Sequence, residues 1–463
     1  MLVCALVLSG AGSSARTPGV AGSHALATGF FDDAAFGSSD APVWFRRAVA
    51  SGASVVRLSA TWSTVAPQQP SDPTNPADRV YRWAALDREV EEATAAGLTP
   101  VITITGAPRW AQPQPVPKTS SPGAWEPNAA DYRLFAQAVA TRYSGRFPDP
   151  LHPGVMLPRV RYFQAWNEPN LSLYLAPQWT LVRGTWVAES PLIYRRLLNA
   201  FYAVVKVAQP DAIVVSAGTA PFGDPPGGQR IPPAQFDRIL LCVSPTMQPL
   251  PCPDPAHFDV LDHHPYAVGS PYTPALDPDD VSIPDMAKLE RPLAVAERTG
   301  RALPAGTKPI WATEVSYDSD PPDPQAVPMA TFVRWTAETL YELWSEGAAV
   351  VTWYLIRDQP PIPNYADSYQ SGMYFRNGVP KEAQRAFRFP LVVDRRGAGE
   401  PIVWTRVPAS GTLVIEGFIG GRWVAVLKTR VARYEVIARH LIASASERFR
   451  ATVGSQSSLV WQP

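Results

Sequence analysis

Cysteine and histidine are scarce in this chain, three and six among 463 residues. None of them falls at ligand spacing, so the sequence implies no metal centre and no cofactor. Charge of one sign is also missing. Lysine plus arginine number 41 and aspartate plus glutamate 41, without a block of like charge, which excludes nucleic acid and anionic membrane as the expected partners. Beyond the first residues there is no apolar run long enough to span a bilayer. The start, "MLVCALVLSGAGSSA", is apolar, ends in small residues and reads as a secretory leader cleaved near Ala15, within a segment of 1–23. Its missing basic n-region leads us to expect a start codon further upstream.

An exported chain changes the meaning of the cysteines. Cys4 falls in the leader, which leaves Cys242 and Cys252 within "LLCVSPTMQPLPC". A local disulfide is expected in an oxidising compartment, with two unrelated thiols as the alternative. The mature chain is expected outside the cell or at the wall, as a monomer.

What the sequence does have is aromatic surface and proline. The 15 tryptophans, 16 tyrosines and 17 phenylalanines exceed the needs of a core this size, and sugars are one ligand class that stacks on such rings. β-Branched runs near 25–31, 54–59, 99–105, 160–166, 212–217, 258–264, 309–313 and 349–355 alternate with amphipathic segments such as "WAALDREVEEATAAG" and "SPLIYRRLLNAFYAVVKVAQP". Eight strands, each followed by a helix, predict an α/β fold, a (β/α)₈ barrel over 24–390. Helix-to-strand links are short, as in "AAGLTP", whereas strand-to-helix links are long and hold many of the 51 prolines, as in "GTAPFGDPPGGQRIPP". The long loops therefore gather on the C-terminal face, where barrel active sites are built. From 391 to 463 the pattern turns to alternating strands, predicting a small all-β, sandwich-like domain that either buttresses the barrel or binds carbohydrate.

Two motifs carry chemistry. "YFQAWNEPN" ends the fourth expected strand on Asn167 and Glu168, before a proline that cannot continue the ladder. "KPIWATEVS" ends the seventh on Glu314. Two carboxylates on one rim, from opposite sides of a barrel, are the arrangement of glycoside hydrolysis, in which one protonates the leaving oxygen and the other attacks or activates water.

Together with "GASVVRLSATWSTVAP", these motifs resemble clan A of the retaining glycoside hydrolases, most closely family 39 and related bacterial exopolysaccharide hydrolases. The similarity runs over about residues 25 to 390. The resemblance implies Glu168 as general acid/base, Glu314 as nucleophile and Asn167 as the partner of a substrate 2-hydroxyl. In "VLDHHPYA" it matches His264 and Tyr266 to a His-x-Tyr whose tyrosine donates to the nucleophile. Arg57 resembles the second-strand arginine that keeps the nucleophile ionised, and Trp353 the eighth-strand aromatic that floors the sugar subsite. The substrate implied is an oligo- or polysaccharide, cleaved by double displacement.

Plainer readings stand beside these. Arg57 could pair with any barrel acid, His263 and His264 could be core histidines, and Trp353 could be barrel packing. Trp62, Trp110, Trp125, Trp179 and Trp186 lie in or beside the long loops. Asp318, Asp320 and Asp323 are expected as solvated loop acids. The rival functions are a non-catalytic carbohydrate-binding barrel and a transglycosylase with the same two glutamates.

Overall fold

The computed structural model describes residues 24–397, 400–441 and 446–462, so the expected leader at 1–23, with Cys4, lies outside the described residues. Runs such as VVRLSAT and TPVITIT are rich in β-branched residues, which pack well on a pleated surface and lose little by extension. Eight such runs form strands: β1 (Ala27–Phe31), β2 (Val55–Thr61), β3 (Thr99–Thr105), β4 (Tyr162–Ala165), β5 (Ile213–Val215), β6 (Leu261–His263), β7 (Ile310–Val315) and β8 (Ala348–Tyr354). They make one eight-stranded sheet in the order β5-β4-β3-β2-β1-β8-β7-β6. Parallel bridges from Val215 to Val260 and from Thr219 to His263 bring its two edges together and close the barrel.

A helix follows every strand: α1 (Ala41–Ala50), α2 (Ala84–Ala95), α3 (Ala129–Arg142), α4 (Ser190–Ala208), α5 (Pro233–Leu240), α6 (Ala287–Arg298), α7 (Met329–Ser345) and α8 (Ala383–Arg388). α3 starts where the Asn128 side chain accepts from the N–H groups of Ala130 and Asp131, satisfying two donors that have no partner inside the helix. α4 has a proline in its first turn and buries Ile193, Leu197, Leu198, Phe201, Val204 and Val205 along one stripe, the pattern that seats a helix on a sheet.

The barrel interior is layered by chemistry. At the bottom, Val55, Val101, Val215, Val260, Trp311 and Val350 form an apolar plug, against which Tyr162 packs. Two residues further along each strand, side chains again point inward, and here they are polar: Arg57, Thr103, Gln164, Asp262, Thr313 and Thr352, all nearly or fully buried. β7 breaks strict alternation. Between Ala312, opposite Val351, and Val315, opposite Trp353, it carries one residue more than β8, a β-bulge.

The C-terminal strands form two antiparallel sheets, one of Leu391–Asp394, Ile402–Arg406 and Val436–His440, the other led by Gly411–Ile419 and Arg422–Val431. They brace the barrel away from its C-terminal rim. Arg406 donates to the carbonyls of Leu26 and Gly52, just before β1 and β2, and Tyr341 on α7 donates to Asp394 at 2.8 Å.

Cys242 and Cys252 form a disulfide in the segment joining α5 to β6. Closing a loop of that length should contribute about 2–3 kcal/mol. A Cys242→Ser/Cys252→Ser chain should lose that amount in urea unfolding, and non-reduced peptide mapping of the native chain should show the crosslink. Two freely alkylated thiols would contradict it.

Candidate active site

The site is built where the strands end. After β4, Trp166 and Glu168 both take left-handed backbone conformations, φ 78° and 38°, which side chains other than glycine adopt rarely and at a cost. Neighbours hold the turn: Trp166 N–H donates to the Ile104 carbonyl at 2.9 Å and Glu168 N–H to that of Gly218 at 3.0 Å. The strand stops at Ala165 for this reason, and Asn167 and Glu168 are turned into the barrel mouth.

Glu314 arrives through the bulge. Regular alternation would send Thr313 and Glu314 to opposite faces, yet both reach the interior. Thr313 Oγ1 meets Asp262 and His264, while Glu314 meets Arg57 and Tyr266. Arg57 Nη1 donates to Glu314 Oε2 at 3.0 Å and the Tyr266 hydroxyl to Oε1 at 2.8 Å. The same guanidinium donates from Nη2 to Asn167 Oδ1 at 2.6 Å, and from Nε to Gln164 Oε1 at 2.8 Å and Thr103 Oγ1 at 3.0 Å. With its carbonyl oxygen so engaged, Asn167 has its amide N–H groups left for a ligand.

Glu168 has a different partner. Its Oε1 lies 2.9 Å from Nδ1 of His264. One carboxylate oxygen from each glutamate and an imidazole nitrogen all fall within 4.8 Å of one another. Burial pushes Glu168 up to about 7, with the charge of Arg57 opposing. Burial also raises Glu314 and the Glu168 charge adds to it, but there the Arg57 guanidinium and the Tyr266 hydrogen bond pull against it. Burial holds His264 down to about 3, hence neutral near pH 7. The two acids thus sit in unequal settings, one beside a neutral ring and one beside a guanidinium.

Glu168, His264 and Glu314 make a donor set that could hold a cation, but the Arg57 guanidinium already stands against it. A second set, Glu91, Asp149 and His152, lies beyond the bottom of the barrel, where His152 Nδ1 pairs with Asp149 at 2.5 Å.

The structure brings Arg57, Asn167, Glu168, His264, Tyr266 and Glu314 together at the barrel mouth. Trp353 is a correction. It is fully buried, its N–H donates to the Ser371 carbonyl at 2.7 Å, and its ring packs on Phe332 and Phe387 of the helical layer. Alternation explains this, because Thr352 faces inward and Trp353 therefore faces out. Tyr354, its neighbour, belongs to the mouth, forming an aromatic wall with Phe31 (5.4 Å) and Tyr369 (5.0 Å) in which the Glu314 charge is felt. Strand parity counted from Thr352 could have found it.

His263 is a core histidine, bonded to Thr219 Oγ1 and the Val281 carbonyl, both at 2.9 Å. Trp62 and Trp179 are buried, Trp110 and Trp125 half-buried, and Trp186 is exposed. The loop acids are not simply solvated: Asp323 is buried, and Asp318 accepts from the Gln370 N–H at 2.8 Å, tying the loops after β7 and β8 together.

A closed (β/α)₈ barrel with two carboxylates facing across its C-terminal mouth defines the class of architecture. Solved structures of family 39 glycoside hydrolases are similar to it in fold. A family 39 glycoside hydrolase from Bacteroides cellulosilyticus is similar over 90% of this chain and 81% of its own, with 17% identity and a TM-score of 0.55. A family 39 β-xylosidase from Caulobacter crescentus is similar over 94% and 96%, with 14% identity and a TM-score of 0.51, and a family 39 enzyme from Xanthomonas axonopodis pv. citri over 90% and 91%, with 15% identity and a TM-score of 0.50. At these identities the likeness is one of fold. No protein-family model and no curated protein matches the chain.

The reassignment on β8 is testable by stability. Trp353→Ala should cost about 3–5 kcal/mol in chemical denaturation, as for a large ring removed from a core. Tyr354→Ala, half-exposed at the mouth, should cost far less. The reverse order would restore Trp353 to the cleft.

Proposed function

We propose that this protein is a retaining glycoside hydrolase, in which Glu168 is the acid/base and Glu314 the nucleophile. The observation that carries the reading is the unequal setting of two close carboxylates. Glu314 is paired with Arg57 and hydrogen-bonded by Tyr266, which favours the charged form that attacks an anomeric carbon. Glu168 is buried beside a neutral imidazole, which favours the protonated form that a leaving oxygen needs. Their closeness supports double displacement, because inverting enzymes separate the two groups by roughly 6.5–9.5 Å to seat a water.

In the first step Glu314 Oε attacks the anomeric carbon, the glycosidic bond breaks, and the Glu168 proton goes to the departing oxygen. In the second, Glu168 takes a proton from water as that water displaces Glu314, giving a sugar of the original anomeric configuration and restoring both groups. Asn167 N–H groups suit the 2-hydroxyl, and the Phe31–Tyr354–Tyr369 wall suits a sugar face. The leader-like N-terminus and the disulfide support action outside the cytoplasm, on an oligo- or polysaccharide.

The acid form of Glu168 is the one the first step requires. With its carboxyl lifted to about 7, kcat/KM should fall as pH rises through about 7 and should not fall just below it. Glu168→Ala should lower kcat/KM by about 100- to 10,000-fold on poorly activated glycosides and much less on dinitrophenyl glycosides, with azide restoring the second step. A 2-fluoro glycosyl fluoride of the right sugar should label Glu314. Inversion of the product anomer, or a label on Asp318, would overturn the assignment.

A further inference from the structure

Beneath Glu168 runs a buried chain of polar groups that the proposed reaction does not itself use: Asp262, Thr313 and His264. Asp262 is fully buried at the centre of the barrel. Three donors are aimed at its carboxylate: the Thr313 backbone N–H on Oδ1 at 3.0 Å, and the Gln164 amide and the Thr313 hydroxyl on Oδ2. Burial raises Asp262, yet two of these donors, the backbone N–H and the amide, can only donate, and a neutral carboxyl would be the weaker acceptor for both, so the geometry favours the ionised carboxylate.

The consequence passes upward. A hydroxyl has one proton, and that of Thr313 is committed to Asp262. Thr313 Oγ1 can then only accept from the His264 Nε2 that lies 3.2 Å away. The ring is held in this orientation by its surroundings. A Cβ at Gly218 would stand 2.2 Å from the imidazole Cδ2 and Nε2 and 2.7 Å from Asp262 Oδ2, so both side chains pack directly on that glycine. An imidazole that is neutral and protonated on Nε2 presents a bare lone pair at Nδ1, and 2.9 Å beyond it is Glu168 Oε1. Two lone pairs at that distance repel. A carboxylic O–H on Glu168 removes the conflict by donating to Nδ1.

We infer that Asp262 is a positioning residue that, through Thr313, fixes His264 as the Nε2–H tautomer, so that Nδ1 faces Glu168 as an acceptor and holds the proton on its carboxyl. This rests on the reading of Glu168 as the acid. The arrangement serves both steps: it keeps Glu168 protonated before glycosyl transfer, and afterwards it makes the spent carboxylate a stronger base toward water. Other charged or titratable groups face the chain. Arg57, Glu314, Tyr174, Tyr266 and Tyr369 are near Glu168. His263 and Glu314 are near His264, and Arg57, Tyr194 and Asp237 near Asp262. None of them contacts Thr313 Oγ1 in a hydrogen bond among the described residues, so none replaces the link.

The first measurement needs neither a variant's activity nor a known substrate. Nitrogen-15 NMR of the full chain with labelled histidine, the His264 signals assigned by their loss in His264→Gln, should show Nε2 protonated and Nδ1 bare at pH 6. A proton on Nδ1 of a neutral ring overturns the inference while leaving the glycosidase reading intact, and a doubly protonated ring overturns both the inference and the acid role of Glu168. Asp262→Asn should release the Thr313 hydroxyl and move the proton to Nδ1, which then donates to an ionised Glu168. In that variant the alkaline limb of kcat/KM on poorly activated glycosides should shift down by at least one pH unit, with a much smaller loss on dinitrophenyl glycosides. Thr313→Val cuts the same link with Asp262 in place and should shift the limb in the same direction, which covers the case in which Asp262→Asn does not fold. An unmoved limb in the variants that fold overturns the inference. If no glycoside is hydrolysed at all, the proposed function fails, and the tautomer measurement still decides this point.

Discussion

The ion pair between Arg57 and Glu314 organises the mouth of this barrel. A guanidinium that is 1% exposed cannot stay charged in the interior unless every face of it is engaged. Here the fixed fork meets Glu314 from Nη1, Asn167 from Nη2 and both Gln164 and Thr103 from Nε, and the plane lies 4.4 Å over the Phe31 ring. One side chain on β2 thereby fixes the positions of groups on β1, β3, β4 and β7. Lysine, a point charge without the fork, could not make those contacts together.

Around that cation the barrel grades from apolar to polar to ionised in steps of two residues. The plug of valines and Trp311 supplies burial without polar cost. The layer above it is polar because its members satisfy one another: Gln164 accepts from Arg57 and Thr103 and donates to Asp262 and the Ser216 carbonyl. A network satisfied in this way is rigid. Rigidity under the rim is what lets two carboxylates of the same residue type differ in proton affinity, since neither can swing to take the other's partner.

Much of this was legible in the chain. Eight β-branched runs, short links on one side and proline-rich links on the other gave the barrel and its working face, and Glu168 before Pro169 and Glu314 after an apolar run marked the rim. What escaped was set by tertiary geometry. The resemblance puts Trp353 in the cleft as the eighth-strand aromatic, whereas inward parity on β8 belongs to Thr352 and Tyr354. Gln164, Asp262 and Thr313 sit inside strands and look like ordinary strand residues. Their importance comes from meeting across the barrel, which no local pattern encodes. The bulge in β7 is likewise invisible, because it is a mismatch between two strands and not a property of either.

That bulge ties the chemistry to the length of the chain as well as to its residues. Loss of a single codon between Ala312 and Val315 would return β7 to even register with β8 and leave one inward position where Thr313 and Glu314 now both reach the interior, so that either the carboxylate or the hydroxyl beside it would be gone. The barrel could still close. On the proposed reading, loss of the Glu314 codon alone would separate a cleaving barrel from a merely binding one, leaving WNEPN untouched and legible in the sequence.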